Sequence, residues 1–275
     1  MGNVFDAMKK HEAEQTAQGL PDRPEPAPDG PAAPPQPQPK PKRTTLNADP
    51  KVARNGYAPQ LVAHYDRGGR LTEEYRELRT HLLARYEDER FCLMVTSAEK
   101  GEGKTLTCLN LAVVLAERPE YRTVAVDFDL RRGGIAALLG VSRTPGVADL
   151  LRGTVAMDDV IQSTPYPNLF VIPAGEVKME EVGELLGRQE LEEIVGRLRH
   201  DYDYVLMDTP PLNEVSDAGI VGRAVREALL VVRMHKTKRE HVERAIRMLH
   251  GANVKPAGLV LTHHTDTHRG KYRYY

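Results

Sequence analysis

The residues best suited to bind phosphate stand together in one short segment, which reads Ser97-Ala98-Glu99-Lys100-Gly101-Glu102-Gly103-Lys104-Thr105. Gly101 and Gly103 allow neighbouring backbone N–H groups to turn toward an anion, and a helix that begins after them adds its positive dipole end. The Lys104 ammonium could then reach the outer phosphates of a nucleotide, and the Thr105 hydroxyl could ligate Mg²⁺. The spacing predicts a P-loop. Ala98 replaces the first glycine of the strict pattern, and an ordinary strand-to-helix loop is the alternative.

Two later segments place carboxylates directly after apolar runs. Asp127 and Asp129 follow one run, and Asp208 follows another and precedes a Thr-Pro-Pro sequence. The carboxyl ends of parallel strands meet at one edge of a sheet, so we expect these side chains to face the phosphates. Thr105, Asp127 and Asp208 are the predicted Mg²⁺ ligands, and Asp127, ahead of Asp129, is the predicted proton acceptor. Either carboxylate segment alone could be a solvated strand end or a helix cap.

The elements that must position these groups follow a regular alternation. From about Leu71, short β-branched runs alternate with longer helical patterns, which is typical of a parallel sheet with helices on both faces. Right-handed crossovers predict one doubly wound, mostly parallel α/β sheet. The predicted strands are Phe91 to Thr96, Thr123 to Asp127, Leu169 to Pro173, Tyr204 to Asp208, Ala228 to Arg233 and Ala257 to Thr262. The predicted helices are Lys104 to Ala116, Glu190 to Arg199, Asp217 to Val225 and Lys238 to His250.

Composition limits the possible partners. With 38 Lys and Arg against 39 Asp and Glu, the formal net charge is −1, so no global positive field favours nucleic acid. The two cysteines, Cys92 and Cys108, lie in apolar segments, which suits a reducing cytoplasm, and no disulfide is expected. No apolar run approaches the roughly 20 residues of a membrane span. We expect a soluble cytoplasmic protein.

The chain divides by composition into four parts. Eleven of the twenty prolines lie between Pro21 and Pro50, which predicts an extended tether, with a Pro-rich docking ligand as the alternative. We therefore expect a short N-terminal helix in residues 1–18, a disordered Pro-rich linker in 19–60, a folded domain in 61–265 and a flexible tail in 266–275.

The tail carries three of the eleven tyrosines, Tyr272, Tyr274 and Tyr275, in its last four residues. If Ala257 to Thr262 is the last parallel strand, its carboxyl end emerges at the P-loop edge. The following thirteen residues could then extend roughly 45 Å, at about 3.4 Å each. The tail could therefore reach its own phosphate site or a neighbour's. A frayed polar terminus with accidental tyrosines is the alternative.

Across roughly Leu71 to Tyr275 the chain resembles the bacterial tyrosine kinases of the stand-alone CpsD/CapB type, which regulate capsule and exopolysaccharide synthesis. The similar segments are Gly101 to Thr105, Val126 to Arg132 and Tyr204 to Pro211, which resemble the Walker A, A′ and B motifs of that family. The resemblance implies a P-loop NTPase fold related to MinD and ParA.

The same resemblance implies an activity and a set of site residues. The activity is ATP- and Mg²⁺-dependent autophosphorylation of Tyr272, Tyr274 and Tyr275, with Lys104, Asp127, Asp129 and Asp208 as catalytic residues. The implied nucleotide-binding residues are Ser97, Glu99, Lys100, Gly101, Glu102, Gly103, Lys104, Thr105, Leu106 and Arg131. The implied partners are further copies of the chain, a separate transmembrane activator related to polysaccharide copolymerases, which would recruit it to the inner membrane face, and a tyrosine phosphatase.

Two rival functions stay open. A partitioning-type ATPase switch would carry a signature lysine five residues before Lys104, but Glu99 stands there, with Lys100 beside it. A weakly catalytic adaptor of a polysaccharide assembly complex is the other rival. The comparison of phosphotyrosine with released phosphate separates the kinase from the switch.

A helix predicted from Thr72 to about Leu83 bears on assembly. Glu73, Arg76 and Arg79 follow one another at three-residue spacing and resemble the E-x-x-R-x-x-R motif of the family, which implies subunit contacts in a ring. A solvated face with internal ion pairs is the alternative. The core-facing stripe is predicted to be Leu71, Tyr75, Leu78 and Leu82.

Overall fold

The computed structural model describes residues 56–86 and 90–263, and these form one seven-stranded sheet with helices on both faces. The strand order is β3-β4-β2-β5-β1-β6-β7, and every strand pair is parallel except the antiparallel pair of β3 and β4. The strands are β1 (Phe91–Ser97), β2 (Thr123–Asp127), β3 (Gln162–Ser163), β4 (Leu169–Ile172), β5 (Tyr204–Asp208), β6 (Glu227–Arg233) and β7 (Lys255–Thr262). The predicted α/β fold is confirmed, and all six predicted strands are present.

The helices fall into long ones that the sequence pattern predicts and short ones that it does not. The long helices are α2 (Arg70–Leu83), α3 (Lys104–Leu115), α8 (Glu190–Asp201), α9 (Asp217–Val225) and α10 (Arg239–Gly251). The short helices are α1 (Val62–Tyr65), α4 (Gly134–Leu139), α5 (Val147–Leu151), α6 (Met157–Val160) and α7 (Val182–Leu186). With four to six residues each, the short helices span too few turns to show a helical period.

Both faces of the central strands β1, β2, β5 and β6 are covered, which explains why these strands are apolar at nearly every position. One core cluster contains α3 and the strand residues Leu93 and Val95, and the other contains α8 to α10 and Met94. Every residue of α3 from Thr107 to Leu115 is buried. The first turn of α3, which carries the P-loop lysine, is therefore fixed to a helix that cannot shift without disturbing the core.

The core-facing stripe of α2 differs from the prediction at its first position. Leu82 is buried, and Tyr75 and Leu78 pack against the core, but Leu71 is 55 % exposed. Thr72 is fully buried instead, because its hydroxyl donates a hydrogen bond of 2.6 Å to the Asp66 carbonyl and turns the first helical turn inward. The prediction for Leu71 was wrong.

The start of the described chain is packed on the domain. Tyr57 contacts the core beside α3, and the Ala58 N–H donates to the Leu138 carbonyl at 2.8 Å. The proposed N-terminal helix, most of the linker and the tail tyrosines lie outside the described residues. Within residues 56–86 and 90–263, no helix is both long and apolar enough to cross a bilayer. Cys92 and Cys108 are free thiols.

Candidate nucleotide-binding and phosphotransfer site

The P-loop lies between the end of β1 and the start of α3, as the sequence predicts. The Ser97 hydroxyl donates to the Glu99 carbonyl at 2.8 Å and closes the first turn of the loop. Gly101 and Gly103 have φ values of 79° and 93°, a conformation that residues with a Cβ rarely adopt. The loop then enters α3 at Lys104, so backbone N–H groups and the positive end of a twelve-residue helix lie together.

Lys104 lies among the carboxylates that follow β2 and β5. Its Nζ atom is 2.9 Å from Asp129 Oδ2 and 3.5 Å from Asp208 Oδ1. The Lys104 side chain is 13 % exposed, while Asp129 and Asp208 are almost fully buried. Residues from three different elements therefore form one charged cluster at the carboxyl edge of the sheet.

Thr105 and Asp208 are in direct contact. The Thr105 hydroxyl donates to Asp208 Oδ2 at 2.6 Å. Asp208 and Asp127 are paired across neighbouring strands, since their Cα atoms are register partners in β5 and β2. The three predicted Mg²⁺ ligands thus lie at one point of the sheet edge.

Asp127 differs from its neighbours because both of its oxygens accept backbone hydrogen bonds. Oδ1 accepts from the Asp129 N–H at 3.2 Å and Oδ2 accepts from the Ile135 N–H at 2.9 Å. The carboxylate is fully buried. Asp127 therefore shapes the turn after β2 and holds the start of α4.

Burial and mutual repulsion control ionisation in this cluster. Burial, followed by the charge of Asp208, raises the pKa of Asp127 well above its usual range. Burial also raises the pKa of Asp208 to about 6, against the opposing effect of Lys104. Burial lowers the pKa of the Lys104 ammonium, but Asp208 and Asp129 outweigh that effect, and the net shift is upward. Perturbed carboxyl groups around one lysine are typical of functional sites.

The cluster has acceptor atoms available for a magnesium-bound phosphate. Among the described residues, Asp129 Oδ1 and Asp208 Oδ1 are buried without a hydrogen-bond partner, although Lys104 lies in ion-pair range of Asp208. In the same part of the chain, no group of three or more His, Cys, Asp or Glu residues is arranged to hold a metal ion alone. Mg²⁺ usually takes one or two carboxylates and completes its shell with water and phosphate oxygens. Thr105 and Asp208 fit that requirement.

The acidic P-loop residues make contacts with the protein. Glu102 is 1 % exposed, and its carboxylate accepts from the Glu99 N–H at 2.6 Å and from the Arg233 N–H at 3.2 Å. The Glu99 carboxylate contacts the His241 ring on α10. The Lys100 N–H donates to Glu214 Oε1 at 3.1 Å. The side chains of Glu99 and Glu102 therefore already have partners within the protein.

Two further predicted binding residues also have protein partners. Arg131 pairs with the buried carboxylate of Asp217, with Nε 2.6 Å from Oδ2 and Nη2 3.2 Å from Oδ1. The Leu106 carbonyl accepts from Asn110 at 2.9 Å. The sequence analysis did not identify Asp217, His241 or Glu214 as partners of the site residues. Each of these contacts joins segments that are far apart in the chain, and no local spacing in the sequence indicates them.

The arginines of the proposed assembly motif on α2 are held within the chain. The Arg76 guanidinium lies 2.5 Å from Glu117 Oε1 and also pairs with Glu73. Arg79 lies 2.9 Å from Glu117 Oε2 and donates to the Val114 carbonyl. Glu117, just after α3, thus binds both arginines. The sequence left open whether these residues form subunit contacts or ion pairs within the chain. The structure shows ion pairs within the chain.

The chain has clear relatives among known proteins. Residues 93–232 match the family model AAA_31, described as an AAA domain. The chain is 28 % identical to a putative tyrosine-protein kinase CapB of Staphylococcus aureus over 216 residues, which cover 78 % of this chain and 94 % of CapB. It is 30 % identical to the tyrosine-protein kinase YwqD of Bacillus subtilis over 205 residues, which cover 74 % of this chain and 86 % of YwqD.

Solved structures agree with these relatives. The kinase domain of the Escherichia coli tyrosine kinase Etk superimposes with a TM-score of 0.73 and 33 % identity, over 85 % of this chain and 89 % of that domain. The whole Etk protein is longer, since the chain aligns to only 26 % of it. The cell-division ATPase MinD of Pyrococcus furiosus gives a TM-score of 0.55 with 29 % identity, over 62 % of this chain and 71 % of MinD.

These matches confirm the resemblance seen in the Walker-type segments and the P-loop NTPase fold related to MinD. The family model spans the P-loop, Asp127, Asp129 and Asp208, and the matches to CapB and YwqD cover most of the length of those kinases. The chain belongs to the bacterial tyrosine kinase family.

Proposed function

We propose that this protein is an ATP-dependent tyrosine autokinase that phosphorylates Tyr272, Tyr274 and Tyr275. The observation that carries the proposal is the charged cluster of Lys104, Thr105 and the carboxylates at the P-loop edge. It combines an anion-binding loop with a candidate proton acceptor, which are the parts that phosphoryl transfer needs.

The exit of the chain from β7 supports the choice of a C-terminal substrate. The Thr262 hydroxyl donates to the Glu102 carbonyl at 2.8 Å, so the last described residues lie against the P-loop. The tyrosines follow nine to twelve residues after His263, a length that extends to roughly 30–40 Å. Arg269, Lys271 and Arg273 give this segment positive charge, which favours approach to a site rich in carboxylates and phosphate.

The side chains of the cluster divide the work. Lys104 and the loop N–H groups would stabilise negative charge on the transferred phosphoryl group. The tyrosine oxygen would attack the γ-phosphorus, the bond to ADP would break, and the hydroxyl proton would pass to a carboxylate. The sequence favours Asp127 as that acceptor, but its oxygens already accept two N–H bonds, whereas Asp129 Oδ1 is unpaired among the described residues. We therefore assign proton acceptance to Asp129 and positioning to Asp127.

Thr105 and Asp208 would hold Mg²⁺, which would offset the negative charge of the phosphates. The contact between the Thr105 hydroxyl and Asp208 already brings both ligands to one point. Asp208 must be ionised to serve as a ligand, and its raised pKa makes this a pH-dependent property.

The proposal extends to regulation of the tail and to assembly with partners. Three phosphates at about −1.5 to −2 each would reverse the charge of the tail and favour its release. We propose that the protein controls exopolysaccharide or capsule synthesis, that it forms a ring through Glu73, Arg76 and Arg79, and that a transmembrane copolymerase-like activator recruits it to the inner membrane face. A tyrosine phosphatase would reset the tail.

The test is labelling of the full chain with [γ-³²P]ATP and Mg²⁺, with modified residues mapped by mass spectrometry. We expect phosphate on the three tail tyrosines and a loss on the order of 10² to 10³ in rate for Lys104→Met. A chain in which all three tyrosines are Phe should bind nucleotide normally and carry no phosphotyrosine. Tyrosine labelling that persists in Lys104→Met would overturn the assignment.

The same assay separates the rivals. Released phosphate without phosphotyrosine identifies a partitioning-type switch, and neither product identifies an adaptor. The pairing of Glu99 with His241 disfavours the switch, because a carboxylate occupies the signature-lysine position and is directed to α10.

A further inference from the structure

The segment after β6 is fixed to the P-loop through a buried carboxylate. One oxygen of Glu102 accepts both the Arg233 N–H at 3.2 Å and the Thr237 hydroxyl. The other oxygen accepts the Glu99 N–H, within the P-loop itself. Because Glu102 is almost fully buried, these contacts are shielded from water and hold residues 233–237 against the loop.

This arrangement brings a lysine of the β6–α10 connection to the phosphate loop. A methyl group placed on Gly101 would meet the Nζ atom of Lys236 at 3.8 Å. His235, just before it, has a φ of 60°, so the backbone turns sharply where the lysine is presented. Within the described ranges, no carboxylate forms an ion pair with Lys236.

Carboxylates outnumber lysines around the P-loop, so a further positive charge would be favourable there. Lys104 faces three carboxylates, Asp127, Asp129 and Asp208, and the two acidic P-loop residues are matched only by Lys100 within the loop. A nucleoside di- or triphosphate keeps net negative charge even with Mg²⁺. An additional ammonium at the loop would reduce this repulsion.

We propose that Lys236 is a second phosphate-binding lysine, which lies beside Gly101 of the P-loop and contacts the phosphate chain of the bound nucleotide. The inference rests on the proposed nucleotide binding and adds a residue from a different element to that site. Glu99 stands where the partitioning-type ATPases carry their signature lysine. In the proposed site, Lys236 would provide a second lysine from the same molecule.

The test is calorimetric binding of Mg·ADP and of a non-hydrolysable Mg·ATP analogue to the full chain, at low and at high salt. We expect Lys236→Ala to weaken both affinities about tenfold at low salt, the size of a lost hydrogen bond to a charged group. The defect should shrink at high salt, because the contact is exposed. Lys236→Arg should bind nearly as the native chain does.

Lys238→Ala is the matched control, since Lys238 is also an exposed lysine and lies two residues further along the same connection. Unchanged affinity in Lys236→Ala, or an equal loss in Lys238→Ala, would overturn the role of Lys236. If the native chain itself takes up no Mg·nucleotide, the proposed function fails and the inference fails with it. Normal native binding together with an unaffected Lys236→Ala chain rejects the inference alone.

Discussion

The Thr105 hydroxyl donates a hydrogen bond of 2.6 Å to Asp208, and this contact joins the first turn of α3 to the last residue of β5. The two residues are 103 positions apart in the chain. Side chains of the Walker A-like and Walker B-like segments are therefore in direct contact. The contact lies where we propose that Mg²⁺ binds.

Replacement of Asp208 should stabilise the nucleotide-free protein above about pH 6. The folded-state pKa of about 6 lies above the usual value of about 3.9, so folding favours the protonated form. The free energy of unfolding should therefore fall as the pH rises from about 4 to about 6, and stay low above that range. Asp208→Asn removes this penalty, and thermal unfolding at pH 5 and pH 7.5 measures it.

Asp158→Asn is the control for that experiment, because Asp158 is an exposed carboxylate whose partner is Arg197 on the surface. Its unfolding temperature should follow that of the native protein at both pH values. Equal pH dependence in the native protein and in Asp208→Asn would refute the prediction.

The magnesium dependence of nucleotide binding should weaken below about pH 6. In the proposed site Asp208 would bind the metal only when ionised, and burial keeps it protonated to a higher pH than an ordinary aspartate. Titrations with Mg²⁺ or EDTA at pH 7.5 and pH 5.5 should show a large affinity gain from the metal at the higher pH and a smaller one at the lower. An equal gain at both would remove Asp208 from the metal site.

Glu102→Gln should destabilise the fold by about 1–3 kcal/mol. The two oxygens of the Glu102 carboxylate accept hydrogen bonds from the backbone N–H groups of Glu99 and Arg233. In glutamine, an NH₂ group would replace one of these oxygens and would face an N–H donor. Urea unfolding measures the loss. Glu214→Gln is the comparison, because Glu214 accepts only one P-loop N–H, that of Lys100, and is half-exposed. A loss in Glu214→Gln as large as that in Glu102→Gln would count against this account.

Glu117→Gln should promote self-association if Arg76 and Arg79 form the subunit contact. Glu117 holds both arginines within the chain, so its neutralisation frees them for a neighbouring copy. Partly exposed ion pairs contribute about 0.2–1 kcal/mol each, which predicts a few-fold decrease in the dissociation constant. Sedimentation velocity measures it.

The control for that experiment is Glu120→Gln, which removes a nearby carboxylate paired with Arg118 and should leave association unchanged. Weaker association in Glu117→Gln would show that Glu117 belongs to the interface itself.

The sheet and the charged cluster at its carboxyl edge could be predicted because their signals are local. Apolar runs followed by Asp127 or Asp208 define strands and their carboxyl ends, and glycine spacing defines the P-loop. The paired register of those two aspartates then follows from parallel strands of matching length.

What the sequence did not predict depends on contacts between distant segments. The sequence predicts Arg131 as a nucleotide-binding residue but not its pairing with Asp217, which lies 86 residues away. Leu71 fits the helical stripe of α2 but is exposed, because a hydrogen bond from Thr72 to the preceding turn sets the rotation of the first helical turn. Such choices depend on three-dimensional neighbours that periodicity does not encode.

The bond between Thr262 and the Glu102 carbonyl fixes the point from which the remaining chain departs. A reactive group attached there by a short segment meets the P-loop at an effective concentration in the millimolar range, whatever the protein concentration in solution. Reaction within one molecule would thus proceed at the same rate after dilution. A rate that falls with dilution would identify transfer between neighbours.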